Sequence, residues 1–392
     1  MTRQRRRAAA PPNVTPEQAR ELQRRLLAWF RKHRRDMPWR GPRDPYAIWV
    51  SEVMLQQTQV ATATPYYERF LARFPSVQAL AKATDQAVLK VWQGLGYYRR
   101  ALNLHAAARV VVRDHDGRVP DEPEAFARLP GVGRYTCGAV QSIAFGRRLA
   151  ALDGNAIRVL ARWFAITGDV TRPATREALW HVAEAMVPDA RGRSPGDWNQ
   201  AVMELGSEVC TPRSPRCEEC PMRSRRGQDP LACQAQQKRL QGRIPVRRKR
   251  KPVPHIEVGV GIIWRRGRIL LCQRRADAML GGLWEFPGGK RHPDETIQEC
   301  IRRELKEECD LNLTVGDHLI DVTHTYSHLR VTLRCYHCQA GRGRVRLLGC
   351  ADARWVRPQQ IVDYPLPAAD VRVLEALGIN HARARRAARG KA

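Results

Sequence analysis

Two carboxylates in this 392-residue chain stand where they could do acid and electrostatic chemistry. Trp49-Val50-Ser51-Glu52-Val53-Met54-Leu55 sets one glutamate in an otherwise apolar helical stretch. Asp153-Gly154-Asn155 follows the apolar run Leu149–Leu152. A glutamate taken out of water holds its proton longer and can deliver it near neutral pH. A second carboxylate can stabilise positive charge that develops on a substrate. Each residue alone has an ordinary reading: Glu52 as an exposed helix position, Asp153 as a helix N-cap.

Three further groups stand out. Leu129-Pro130-Gly131-Val132-Gly133-Arg134-Tyr135 puts two glycines in a tight turn directly before the helical stretch Thr136–Phe145. The amides of such a turn and helix N-terminus suit a phosphate. Cys210, Cys217 and Cys220, with Cys233 twelve residues on, offer soft thiolates for an iron–sulfur cluster or for zinc. Glu304, Glu307 and Glu308 share one face of a predicted helix, an arrangement able to hold Mg²⁺ against a diphosphate. Cys335 and Cys338 are three apart on a predicted strand, face opposite sides, and are read as structural.

The surrounding elements form two halves. Residues 1–15 read as a basic disordered tail and 16–235 as an all-helical domain, with Leu22, Leu26 and Phe30, then Trp49, Val53 and Val60, at helical spacing. Within it, a helix-hairpin-helix spans about 123–145 and a cysteine loop 210–233. A basic, Pro-rich linker covers 236–255. Residues 256–380 read as α+β. Strands over Glu257–Ile263 and Arg268–Gln273 turn at Arg266-Gly267, a helix covers Glu295–Cys309, and a strand covers Arg330–Tyr336. Residues 381–392 form a second basic tail.

Composition narrows the partners. Lys and Arg number 68 against 39 acidic residues, a net charge of +29, which points to a polyanion such as nucleic acid. No apolar run approaches the ~20 residues of a membrane span. The N-terminus has basic residues but no apolar signal core. Eleven cysteines without such a signal fit the reducing cytoplasm and metal binding rather than disulfides.

Taken in order, SEVMLQQTQV, GLGYYRRALNLH, LPGVGRYTCGAV, ALDGNAIRVLAR and the cysteine loop resemble the adenine DNA glycosylase (MutY) family over about residues 17–235. The resemblance implies a helix-hairpin-helix enzyme with a [4Fe–4S] cluster that flips adenine from duplex DNA and hydrolyses its N-glycosidic bond. By it, Glu52 is the acid, Asp153 steadies the sugar cation, and Tyr135 and Asn155 assist. Arg35, Trp39, Arg40, Leu55 and Gln200 match the adenine pocket. Gln57 and Tyr97 match residues that wedge into the base stack. Leu129, Gly131 and Gly133 belong to the DNA-binding hairpin. Cys210, Cys217, Cys220 and, if the loop carries an insertion, Cys233 hold the cluster. Related endonuclease III enzymes carry a lysine nucleophile at the Tyr135 place, so the resemblance implies a monofunctional glycosylase.

Residues 256–380 resemble the Nudix fold through Gly282-Leu283-Trp284-Glu285-Phe286-Pro287-Gly288-Gly289. In the family this half reads 8-oxoguanine opposite the adenine, and Ser327 and His328 match the reading loop. Gly289-x5-Glu295-x7-Arg303-Glu304-Leu305-Lys306-Glu307-Glu308-Cys309-Asp310-Leu311 matches the Nudix hydrolase signature except at Asp310, where hydrolases end the helix on glycine. This leaves two expectations: a relic acidic face, or Mg²⁺-dependent hydrolysis of oxidised nucleoside triphosphates. The expected partner is duplex DNA carrying adenine opposite 8-oxoguanine or guanine, bound by a monomer.

Overall fold

The computed structural model describes residues 14–41, 44–189, 194–223, 229, 231–248, 252–326 and 329–379. Ser327 and His328 lie outside the described residues. The chain packs as two compact units that interrupt one another in sequence. One comprises Met1–Leu71 and Ala107–Arg250, the other Ala72–Ala106 and Lys251–Ala392. Residues 72–106, read from the sequence with the helical half, have most of their contacts in the second unit.

The helices run in order α1 (Pro16–His33), α2 (Pro45–Leu55), α3 (Val60–Arg73), α4 (Val77–Ala81), α5 (Asp85–Trp92), α6 (Arg99–Asp114), α7 (Pro123–Ala127), α8 (Arg134–Phe145), α9 (Gly154–Trp163), α10 (Pro173–Met186), α11 (Ser194–Glu208) and α12 (Gln234–Gln237). A capping box between Thr15 and Gln18 starts α1. Its Leu22, Leu26 and Phe30 stripe packs with buried residues of α9, α10 and α11. Trp49 and Val53 fall on α2, but Val60 opens a new helix. The break lies at Gln57, whose φ of 60° is left-handed. The stretch read as a linker is partly seated. Ile244 is buried, its carbonyl accepts from Arg162 Nε at 2.8 Å, and Val246 bridges to Asp169.

The second unit holds β1 (His255–Arg265), β2 (Arg268–Gln273), β3 (Trp284–Glu285), β4 (Gly288–Lys290), α13 (Ile297–Cys309), β5 (Leu313–Thr325), β6 (Arg330–Ala340), β7 (Asp352–Val356) and α14 (Ala368–Ala376). The described strands form one mixed sheet, β3-β2-β1-β6-β5, with β4 beside β1 and β7 beside β2. Only the β1–β6 pair is parallel among them. The β1–β2 turn holds Arg266 and Gly267 both at positive φ, the conformation a two-residue hairpin favours. The sheet separates two apolar clusters, with Cys335 in one and Cys338 in the other, as expected for residues on opposite faces.

Segment 72–106 is fixed to this sheet by directed bonds. Gln86 Nε2 donates to the Gly282 carbonyl (2.8 Å), and Trp284 Nε1 donates to Gln86 Oε1 (2.9 Å). Lys90 Nζ donates to the carbonyls of Tyr364 (2.9 Å) and Val362.

Candidate active site

Helix α2 is capped by Asp44, which accepts from the Tyr46 amide at 3.0 Å. The helix is apolar nearly all round and is therefore enclosed nearly all round. Glu52 is carried inside with it and is 6% exposed. Tyr135, in the first turn of α8, donates its hydroxyl to Glu52 Oε2 at 2.6 Å. Burial pushes the Glu52 carboxyl up to about 7; the Tyr135 bond opposes this, and the charge of Asp153 adds to it. Glu52 is thus a buried acid with a proton to give near neutrality. Burial and both carboxylates push the Tyr135 phenol well up, which keeps it a hydrogen-bond donor.

Asp153 is the N-cap of α9: its Oδ1 accepts from the Ala156 amide at 2.7 Å. Its other oxygen accepts from Asn155 Nδ2 at 2.9 Å. The ordinary role and the candidate chemical role therefore coincide in one side chain. Burial raises its pKa, and these hydrogen bonds pull the other way. The Asn155 amide is itself oriented, since Arg158 Nη2 donates to Asn155 Oδ1 at 2.8 Å. Arg158 also donates to the carbonyls of Gly206 (2.6 Å) and Cys210 (2.7 Å). Gly206 permits this packing, because a Cβ there would lie 2.6 Å from Asn155 Cβ.

A hollow in the same unit is lined by Trp39, Arg40 and Gln200, and also by Arg34, Ile48 and Asp197. Arg40 Nε donates to Gln200 Oε1 at 3.0 Å. Arg35 and Leu55 do not line it. Arg35 is turned away by ion pairs to Glu204 (2.9 Å) and Glu208 (2.6 Å), and Leu55 is half-buried at the end of α2. Sequence reasoning missed Glu204, which is almost wholly buried and accepts from both Arg35 and Arg40. Its signal was a glutamate on the apolar side of α11, beside Ala201, Val202 and Leu205.

In the turn between α7 and α8, Leu129 is buried and its carbonyl accepts from the Val132 amide at 3.1 Å. Gly131 has φ 76°, a conformation costly to other residues, while Gly133 caps α8 with no side chain over its first amides. Gln57 and Tyr97 are both exposed and both left-handed at φ, 60° and 49°. Non-glycine residues held so are strained, and strain gathers at working sites. Tyr326 and Leu329 close the β5–β6 hairpin by an N–H···O bond of 2.7 Å.

Cys210, Cys217, Cys220 and Cys233 line one hollow with Arg162. Arg162 Nη1 donates to Cys210 Sγ (3.3 Å) and to the Thr211 carbonyl (2.7 Å). Cys233 is thus placed with the other three. No three of these sulfurs lie within 4.8 Å of one another. A single tetrahedral zinc would need thiolates about 3.8 Å apart. Four soft thiolates lining one hollow suit an iron–sulfur cluster.

The acidic box of α13 is otherwise engaged. Arg303 binds Glu295 (2.7 Å), Glu304 (2.8 Å) and Glu307 (3.2 Å). Glu304, Glu307 and Glu308 do not converge on a common metal position, because the guanidinium occupies two of them. Glu308 is pushed up to about 7 by burial and by Glu285 and Glu304. Asp310 takes the left-handed cap expected of glycine, φ 51°.

Family models match three segments: the HhH-GPD superfamily of base excision DNA repair proteins over residues 50–185, the iron–sulfur binding domain of endonuclease III over 210–225, and the NUDIX domain over 259–376. A thermostable thymine-DNA glycosylase structure is 34% identical, with a TM-score of 0.50, covering 58% of this chain and all of that one. Together with the buried acid and the four-cysteine loop, these findings define a helix-hairpin-helix DNA glycosylase of base excision repair with an iron–sulfur cluster and a C-terminal Nudix-type domain. Adenine DNA glycosylase of Rattus norvegicus is 38% identical over 369 residues, 80% of this chain and 70% of the rat protein. That of Buchnera aphidicola subsp. Acyrthosiphon pisum is 31% identical over 304 residues, 77% and 82% respectively. The chain belongs to the adenine DNA glycosylase family. No helix among the described residues is long and apolar enough to cross a membrane.

Proposed function

We propose that this enzyme releases adenine opposite 8-oxoguanine or guanine in duplex DNA and leaves the strand uncut. The observation that carries the mechanism is the 2.6 Å bond from Tyr135 to a buried Glu52. Glu52 protonates the flipped adenine, which makes it a leaving group. Positive charge then builds on the sugar, and Asp153, held by Ala156 and Asn155, stabilises it. Trp39, Arg40 and Gln200 supply an aromatic face and edge donors and acceptors for the base. Tyr135 has no amine, so no Schiff base forms and the backbone is not cleaved. Cys210, Cys217, Cys220 and Cys233 would hold a [4Fe–4S] cluster, which pins the loop that receives Arg158 and Arg162. Ser327 and His328 would read the oxidised base on the other strand.

The test is single-turnover adenine release from an 8-oxoguanine:adenine duplex, with guanine:adenine and thymine-mismatch controls. Release confined to the adenine pairs is expected, and Glu52→Gln should slow it by about 10²–10⁴-fold, the usual weight of a general acid. Unchanged release in Glu52→Gln overturns the assignment, as does borohydride trapping of the enzyme on DNA.

A second reading concerns the C-terminal unit, whose helix α13 ends on the left-handed cap at Asp310 where the hydrolase signature has glycine. Hydrolysis of oxidised nucleoside triphosphates there requires Arg303 to release Glu304 and Glu307. Incubation of the full chain with oxidised dGTP and Mg²⁺ decides it: diphosphatase activity that persists in Glu52→Gln supports it, and none rules it out.

A further inference from the structure

Three thiols outside the cluster loop converge in the second unit. Cys272 lies on β2, Cys309 ends α13, and Cys350 ends the loop before β7. Their sulfurs all lie within 4.8 Å of one another, and Cys272 Sγ and Cys309 Sγ are 3.5 Å apart. Burial alone does not account for the grouping. Cys300, Cys335 and Cys338 are equally buried in the same unit, and none joins a group of three.

Backbone bonds hold the third thiol in place from both sides. The amides of Leu348 and Gly349 donate to the Glu308 carbonyl (3.0 and 3.1 Å), and the Arg346 amide donates to that of Cys309 (3.0 Å). The Ala351 amide donates to the Gln273 carbonyl at 2.8 Å. The loop is therefore stitched to the helix end bearing Cys309 and to the strand bearing Cys272. Cys272 and Cys309 are closed to solvent, while Cys350 is half-buried, so access is from its side.

We propose that Cys272, Cys309 and Cys350 bind a zinc ion, as three thiolates with one water completing a tetrahedron. Thiolates around zinc stand about 3.8 Å apart, close to the spacing present here. No His, Asp or Glu joins the group among the described residues, which leaves the fourth position to water. Loading exchanges three S–H protons for the ion, and the protons go to solvent. The ion would tie β2, α13 and the loop together in a half of the molecule far from the iron ligands in sequence.

The experiment uses the full chain with its iron complement, loaded with zinc under reducing conditions, desalted, and read by elemental analysis and zinc-edge X-ray absorption. About one zinc per chain is expected, with three sulfurs at ~2.3 Å and one lighter atom. Cys350→Ser and Cys309→Ala should each weaken zinc binding at least about tenfold at unchanged iron content, a loss of one ligand bond. Cys350→Ser is on a half-exposed loop, so it reports even if Cys309→Ala fails to fold. Less than about 0.1 zinc per wild-type chain overturns the site, as does equal zinc in wild type and Cys350→Ser. A Cys272–Cys309 disulfide as the resting state in peptide mass spectra overturns it too.

Discussion

Glu52 and Asp153 reach their environments by different routes, and their responses to pH and mutation differ accordingly. In the proposed mechanism Glu52 must be protonated to act, and burial pushes its carboxyl up to about 7. Excision in single turnover should therefore fall about tenfold per pH unit above that value and level off below it. The linkage has the same sign. A carboxyl raised from 4.5 to about 7 on folding favours the fold below 4.5 and loses that contribution as pH rises through 7. Glu52→Gln should then gain on wild type by up to about 3 kcal/mol at pH 8 relative to pH 4, measured by denaturant unfolding. Asp153→Asn separates capping from charge. Asparagine keeps the cap to the Ala156 amide but turns an NH₂ toward Asn155 Nδ2, so stability should fall by about 1–2 kcal/mol while excision collapses. Glu204→Ala leaves Arg35 and Arg40 facing a vacated, buried position and should cost about 3 kcal/mol of stability. Glu52 and Asp153 were legible because each interrupts an apolar run. The tie between Glu204 and Arg35 was not, because 169 residues separate the partners and local pattern carries no information across that distance.

Among the elements, what was legible was whatever a local rule specifies. The helical spacing of Leu22, Leu26 and Phe30 and the two-residue turn at Arg266-Gly267 obey short-range chemistry. What was not legible came from tertiary demands: the left-handed break at Gln57, and the docking of Ile244 and Val246 where a free linker was read. The turn between α7 and α8 yields a prediction of its own. Only Gly131 has a φ that excludes a side chain at low cost. Gly131→Ala should cost about 1 kcal/mol and weaken duplex binding, whereas Gly133→Ala, with open space around its Cβ direction, should leave stability within about 0.5 kcal/mol. Differential scanning calorimetry and DNA titrations on the two variants check this.

For the whole molecule, a net charge of +29 makes affinity for DNA strongly dependent on salt. If six to ten phosphates are neutralised, binding should weaken by about 10³–10⁵ between 50 and 200 mM salt, with the slope of log K against log salt reporting the number. The second unit also contains more than the C-terminal half of the chain. Trp284, Gly282 and Tyr364 hold Gln86 and Lys90 of a segment that the helical family model also spans. Tyr97, a proposed wedge residue, belongs to that same compact unit. A chain ending at residue 250 should therefore unfold at lower denaturant concentration than the full protein, having lost the partners of α5. The interrupted order of the two units also sets a timetable for biosynthesis. When Ala72–Ala106 leaves the ribosome, the strands it packs with do not yet exist. Roughly 260 residues must follow before Tyr364 is made, at about 5–20 per second. For some 13–50 s, on that rate, Gln86, Leu89 and Lys90 wait without Gly282, Trp284 and Tyr364.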